Sequence, residues 1–262
     1  MSVVEKHSPG SFCWVELGTT NARAAKAFYG GLFGWRPDDM PMGNDQFYTM
    51  LQIDGKAIGA LYELDEHMRR MGIPPHWLQY IAVADADETA ARVKALGGTV
   101  MKDAFDVFDA GRMAVIQDPT GAVFAVWQAN RNIGSRITGE PHTLCWSELV
   151  TNDTARSIEF YTKLFGWTVK AGLASTRDYT EIWNGNRSIG GVMQMSAELG
   201  EIPSHWMPYF LVAGCEASAG KSKELGGSVQ VRPTDIPGVG RFAVIADPQG
   251  AVFSLFQPAR LQ

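Results

Sequence analysis

Three cysteines in 262 residues, Cys13, Cys145 and Cys215, are too few for a disulfide framework, and no CxxC pair offers a cysteine-rich zinc site. They read as reduced, buried thiols of a cytoplasmic protein. Positive charge is not in excess either. The 23 Lys and Arg against 28 Asp and Glu leave a formal net charge of −5, so neither nucleic acid nor an anionic membrane is an expected partner. No apolar run approaches the roughly 20 residues of a spanning helix. The opening MSVVEKHSPGSF has no apolar core of a secretory signal, so none is expected. There is no GxSxG, P-loop or dinucleotide-binding fingerprint. The glycine pairs at 30–31, 97–98 and 226–227 fit helix packing and helix ends.

What the chain does have is repetition. Residues 111–128, GRMAVIQDPTGAVFAVWQ, and 240–257, GRFAVIADPQGAVFSLFQ, agree at twelve of eighteen positions. Each reads as two strands joined by an Asp-Pro-x-Gly turn, with Asp118 and Asp247 supplying turn chemistry. FCWVEL (12–17) is answered by LCWSEL (144–149), FYGGLFGW (28–35) by FYTKLFGW (160–167), and PPHWLQY (74–80) by PSHWMPY (203–209). Such matches over separated blocks describe a tandem duplication.

Within the first half, FCWVEL alternates as a strand, Asn21 offers an N-cap, and a helix with Ala24, Phe28 and Leu32 on one face closes at Gly34. Strands are expected at 47–53 and 57–62, with a short one near 35–45. A strand at about 77–83, a helix capped by Asp85 or Asp87, and strands near 99–101, 112–117 and 123–128 repeat the pattern. Each half is therefore read as two β-α-β-β-β modules: 1–73 and 74–132, then 142–201 and 202–262, with a polar linker at 133–141. Whether modules pair within or across halves is open at this point.

Paired βαβββ modules, the FY-x-x-LFGW helix end and the AV-x-DP-x-GA hairpin resemble the vicinal oxygen chelate superfamily of glyoxalases, bleomycin-resistance proteins and extradiol dioxygenases. The two-domain, four-module type, found in glyoxalase-like proteins of mycobacteria and related actinobacteria, is the most similar. The resemblance implies an α+β fold: four tandem βαβββ modules paired into two curved half-barrel sheets with helices outside. It also implies metal ligands on the concave face, a His or Gln on a module's first strand and a Glu on its last. In this sequence those positions fall on Trp14, Trp146, Gln79 and Pro208, and on Ala125, Ser254, Gly59 and Gly190. Gln79 alone carries a donor, so neither a metal nor another cofactor is expected.

Alternation along the strands gives the concave face Phe12, Trp14 and Glu16; Trp77, Gln79 and Ile81; and Val123, Ala125 and Trp127. In the second half it gives Leu144, Trp146, Glu148, Trp206, Phe210, Ser254 and Phe256. An aromatic concavity with sparse polar anchors suits a small planar organic molecule. Trp14, Trp77, Gln79, Trp127, Trp146, Trp206 and Phe256 are its expected lining. A carboxylate among apolar strand neighbours is costly to bury, so Glu16 and Glu148 are the candidate acid/base groups of an enzyme reading. The structural alternative pairs them with Arg112 and Arg241. His76 and His205 read as rim residues or capped turns. The leading expectation is a metal-independent binder, the alternatives a metal-independent isomerase, lyase or hydroxylase-like enzyme, or a metal-dependent glyoxalase I-type lyase. A homodimer is left open.

Overall fold

Asn21 marks where the first strand gives way to helix. Its side chain accepts from the Ala24 amide, and Gly34 ends the helix in the left-handed region at φ 74°. Asp153 and Gly166 do the same in the second half, with Gly166 at φ 72°. The computed structural model describes residues 3–43, 46–172, 179–196 and 202–259. The first half runs β1 (Phe12–Thr19), α1 (Ala22–Phe33), β2 (Arg36–Gly43), β3 (Gln46–Ile53), β4 (Lys56–Glu63), α2 (Glu66–Arg70), β5 (His76–Ala82), α3 (Ala86–Ala95), β6 (Thr99–Val107), β7 (Gly111–Gln117) and β8 (Val123–Ala129). The second runs β9 (Leu144–Thr151), α4 (Thr154–Phe165), β10 (Thr168–Ala171), β11 (Tyr179–Asn184), β12 (Arg187–Gln194), β13 (His205–Leu211), α5 (Cys215–Glu224), β14 (Ser228–Ile236), β15 (Gly240–Ala246) and β16 (Val252–Pro258).

The strands form two separate eight-stranded sheets, ordered β2-β3-β4-β1-β5-β8-β7-β6 and β10-β11-β12-β9-β13-β16-β15-β14. Modules therefore pair within each half, and the α+β expectation holds. At the centre of each sheet the first strands of two modules lie antiparallel, β1 on β5 and β9 on β13. Each also pairs in parallel with its own module's last strand, as β1 does with β4. Residues 133–141 are more than a spacer. Where β1 and β4 diverge, the Ser135 amide donates to Cys13 O, the Ser135 hydroxyl to Ile58 O and the Arg136 amide to Ala57 O. That segment satisfies strand carbonyls that would otherwise be stranded.

The helix-bearing sides of the two halves share one core, and the repeated motifs build it. Tyr29 of the first FY pair donates to Asp247 of the second half's Asp-Pro turn at 3.0 Å and accepts from the Trp77 indole at 3.1 Å. The equivalent Tyr161 stands beside Asp118 and accepts from Trp206 at 2.8 Å. Trp35 and Trp167, the tryptophans of the two LFGW words, donate to His142 O and Gly10 O, each in the other half and each at 2.8 Å. Asp247 Oδ1 meanwhile closes its own turn on the Gln249, Gly250 and Ala251 amides. The Asp-Pro turn is thus turn chemistry, as expected, and a cross-half anchor as well.

Tyr29→Phe leaves Trp77 Nε1 without its acceptor and Asp247 Oδ2 without its donor, both buried. The expected loss is roughly 2–4 kcal/mol of folding stability, read as a lower urea midpoint. An unchanged midpoint would contradict this account of the seam.

Candidate functional site

Sheet register decides which side chains share the face turned away from the helix-bearing core, the one expected to be concave. Trp14 lies opposite Tyr80 and Glu16 opposite Leu78, and directly paired residues project to the same side. Ala60 beside Glu16, Ala125 beside Tyr80, and Met113 opposite Trp127 complete the patch, which forms a cluster separate from the main core. Gly111, the glycine of the repeated hairpin, makes room there. A Cβ at that position would fall 2.5 Å from the Trp127 ring.

At its centre stands Glu16, 9% exposed. Its carboxylate accepts from Tyr48 at 2.7 Å through Oε2 and from Tyr80 at 3.0 Å through Oε1, and the Trp14 indole donates to the Tyr48 hydroxyl at 3.2 Å. The second half repeats the arrangement. Glu148, 7% exposed, accepts from Tyr209 at 2.7 Å and from Tyr179, whose hydroxyl takes the Trp146 indole at 2.8 Å. Burial pushes both carboxyls up from the usual range, and the phenol hydrogen bonds pull them partly back. Burial, followed by the adjacent carboxylate, raises the four phenols. They stay protonated and keep donating. Each half thus presents a desolvated carboxylate held by two phenols, one of which accepts from an indole, able to accept from a ligand or to carry a proton.

Trp14, Glu16, Trp127, Trp146 and Glu148 stand on the concave faces, as does Phe256, which pairs with Leu211 of the strand that carries Tyr209. Three expected lining residues do not. Trp77 and Trp206 point to the seam, donating to Tyr29 and Tyr161, and Gln79 accepts there from the Ser147 hydroxyl. Along β5 the concave residues are Leu78 and Tyr80, one position from the expectation; along β13 they are Met207 and Tyr209. A strand buried on both faces carries no alternation that fixes its register, and the observed faces are one residue out of step with the expected ones. Phe12, Leu144 and Phe210 also belong to the shared core. Irregularities between Phe12 and Trp14, and between Tyr209 and Phe210, turn the strand ends over.

The four tyrosines were not anticipated. The available signal was the repeated Tyr-Thr at 48–49 and 179–180, together with Tyr80 and Tyr209 in the HW-x-x-Y words. The expected arginine partners are engaged elsewhere, Arg112 with Asp87 and Asp106 and Arg241 with Asp235 and Glu216. His76 and His205 each bond the carbonyl two residues back, Pro74 O at 2.8 Å and Pro203 O at 2.9 Å, which makes them turn caps.

A metal of the kind the fold family uses needs three or four N, O or S donors in one shell. Among the described residues no three His, Cys, Asp or Glu come together. With the register corrected, the central concave positions of the first half are Trp14, Leu78 and Ala125 around a single carboxylate. This donor set does not fit such an ion.

The model of the Glyoxalase/Bleomycin resistance protein/Dioxygenase superfamily matches residues 11–126 and 141–255. "Putative glyoxylase CFP32" of Mycobacterium tuberculosis is 42% identical over 259 residues, covering 98% of each chain. The anthracycline biosynthesis protein DnrV of Streptomyces peucetius is 35% identical over 264 residues, covering 96% of this chain and 94% of that one. Among solved structures, the Mn(II)-bound glyoxalase from Novosphingobium aromaticivorans has a TM-score of 0.67 at 17% identity, over 95% of this chain and 82% of that one. The 2,3-dioxygenase LapB from Pseudomonas sp. KL28 has a TM-score of 0.65 at 15% identity, over 99% and 94%. These two likenesses establish the fold.

A carboxyl whose folded value is raised binds more protons folded than unfolded, so its stability contribution falls as pH rises through that window. Glu16→Gln removes the effect. The stability of the variant relative to the parent is expected to move in the variant's favour as the pH rises above the ordinary carboxylate value of about 4. A flat or opposite trend in urea titrations at a series of pH values would count against a desolvated Glu16.

Proposed function

The chain belongs to the glyoxalase/bleomycin resistance protein/dioxygenase superfamily, and we propose that within it this protein is a metal-independent binder of a small planar organic molecule. The observation that carries the reading is the duplicated Trp-Glu-Tyr-Tyr arrangement on the face where the family's metalloenzymes hold their ion. Indole and phenol rings offer stacking area at low conformational cost, and the desolvated carboxylate gives a ligand hydroxyl or amine a strong acceptor. A relative named for anthracycline biosynthesis supports a planar ligand, since anthracyclines are fused-ring compounds.

A second reading rests on the same carboxyls. Raised by burial above the ordinary carboxylate range, Glu16 and Glu148 are suited to take up or give a proton, as a metal-independent isomerase, lyase or hydroxylase-like enzyme would require. For that reading, Glu16→Gln and Glu148→Gln abolish turnover of a substrate while its affinity survives. A glyoxalase I-type lyase reaction through a metal is not proposed, because the donors that it needs are replaced.

Calorimetric titration of chelator-treated protein with 2-naphthylmethanol is the test. Binding is expected without added metal, and Trp14→Ala with Trp146→Ala is expected to weaken it about fivefold or more. Binding that is unaffected by both substitutions would remove the site. Binding that vanishes on chelation and returns with Mn(II) or Zn(II) would remove the metal independence.

A further inference from the structure

The two concave sites share their centre and differ around it. Opposite Ala60 on the strand next to the centre the first half places Met50; opposite Gly191 at the equivalent point the second places Glu181. On the neighbouring hairpin arm Ala57 is answered by Ser188, each paired with the residue two beyond, Gln52 and Trp183. Against Tyr80 lies Ala125, whereas against Tyr209 lies Ser254. At three of these positions, Glu181 for Met50, Ser188 for Ala57 and Ser254 for Ala125, the second half is the more polar, with Trp183 for Gln52 the exception, and it keeps the carboxylate and its two phenols.

Glu181 is arranged as an acceptor with capacity to spare. The Trp183 indole donates to its Oε2 at 3.1 Å and the Ser188 hydroxyl to the same oxygen at 3.2 Å, while no donor to Oε1 is found among the described residues. Lys170 lies across the strand pair, but its ammonium sits 3.4 Å over the Trp183 ring centroid and makes no ion pair with Glu181 among the described residues. The charge of Glu181 reaches Tyr179, so it borders the Glu148 centre. Gly191 allows this closeness, since a Cβ there would overlap the Tyr179 hydroxyl. In the first half a comparable carboxylate, Asp38, lies on the exposed outermost strand and is taken by Gln52 at 3.1 Å, and a thioether occupies the inner position.

We propose that the two sites take different ligands: the first half an uncharged planar ring system, the second a ring that bears a protonated amine, held by Glu181 beside Tyr179. The inference rests on the concave-face reading above and adds a selectivity between halves, with Met50 and Glu181 as the residues that set it. A thioether is soft and polarizable and packs on a ring, whereas a free carboxylate oxygen rewards a cation and penalises an apolar edge left against it.

The test uses the full chain and two probes of one ring, 2-naphthylmethanol and 2-naphthylmethylamine, the latter protonated at neutral pH, titrated by calorimetry. Glu181→Gln, which keeps size and hydrogen-bonding shape, is expected to weaken the amine about tenfold and leave the alcohol within about twofold. Met50→Glu is expected to create a second amine site and to weaken the alcohol in the first half. If both probes bind and neither substitution separates them, the selectivity is overturned while the binding function stands. If neither probe binds the parent protein, both readings fall.

Discussion

The seam between the halves constrains everything else in the molecule. Tyr29 joins the Trp77 indole of its own half to the Asp247 carboxylate of the other, and Trp35 and Trp167 each reach across to a carbonyl. These bonds lie inside a shared aromatic core, where an unpaired donor or acceptor would be costly. With the helix-bearing side of both sheets committed to that core, each sheet has one face left. Which face of each sheet carries the Glu16 and Glu148 clusters is therefore a consequence of how the duplication is glued together.

On that remaining face a single carboxylate per half has been taken out of water and given two phenol donors. A pair of hydrogen bonds from neutral groups offsets only part of the desolvation of a charge, which is why both carboxyls stay raised. A group in this condition gains when a ligand brings it a donor. Trp14, Leu78 and Ala125 give the same face an apolar, aromatic character. That character is what the proposed binding of a planar molecule rests on.

Much of this was legible in the chain and some was not, for definable reasons. Duplication, the βαβββ order and the W-x-E orientation follow from offsets and alternation, because the central carboxylate sits on a strand whose Trp14 and Glu16 share one face. The register of β5 does not follow, since both strands are buried on both faces and HWLQYIA has no carboxylate to mark one of them as Glu16 does in β1. Alternation alone therefore puts Trp77, Trp206 and Gln79 on the wrong face and passes over Tyr80 and Tyr209. The repeated FY, LFGW and Asp-Pro words were visible as words, but their partners lie more than 100 residues away in the other half. Pairings across that distance leave no local pattern.

The claim on which the rest turns is that Glu16 and Glu148 are desolvated and answer to a bound ligand. Carbon-13 NMR of protein labelled at the glutamate side-chain carboxyl measures this directly. Two carboxyl resonances, lost one each in Glu16→Gln and Glu148→Gln, should titrate above the ordinary carboxylate range and shift when a planar ligand is added. Two resonances that titrate like exposed glutamates and ignore every ligand would contradict the account.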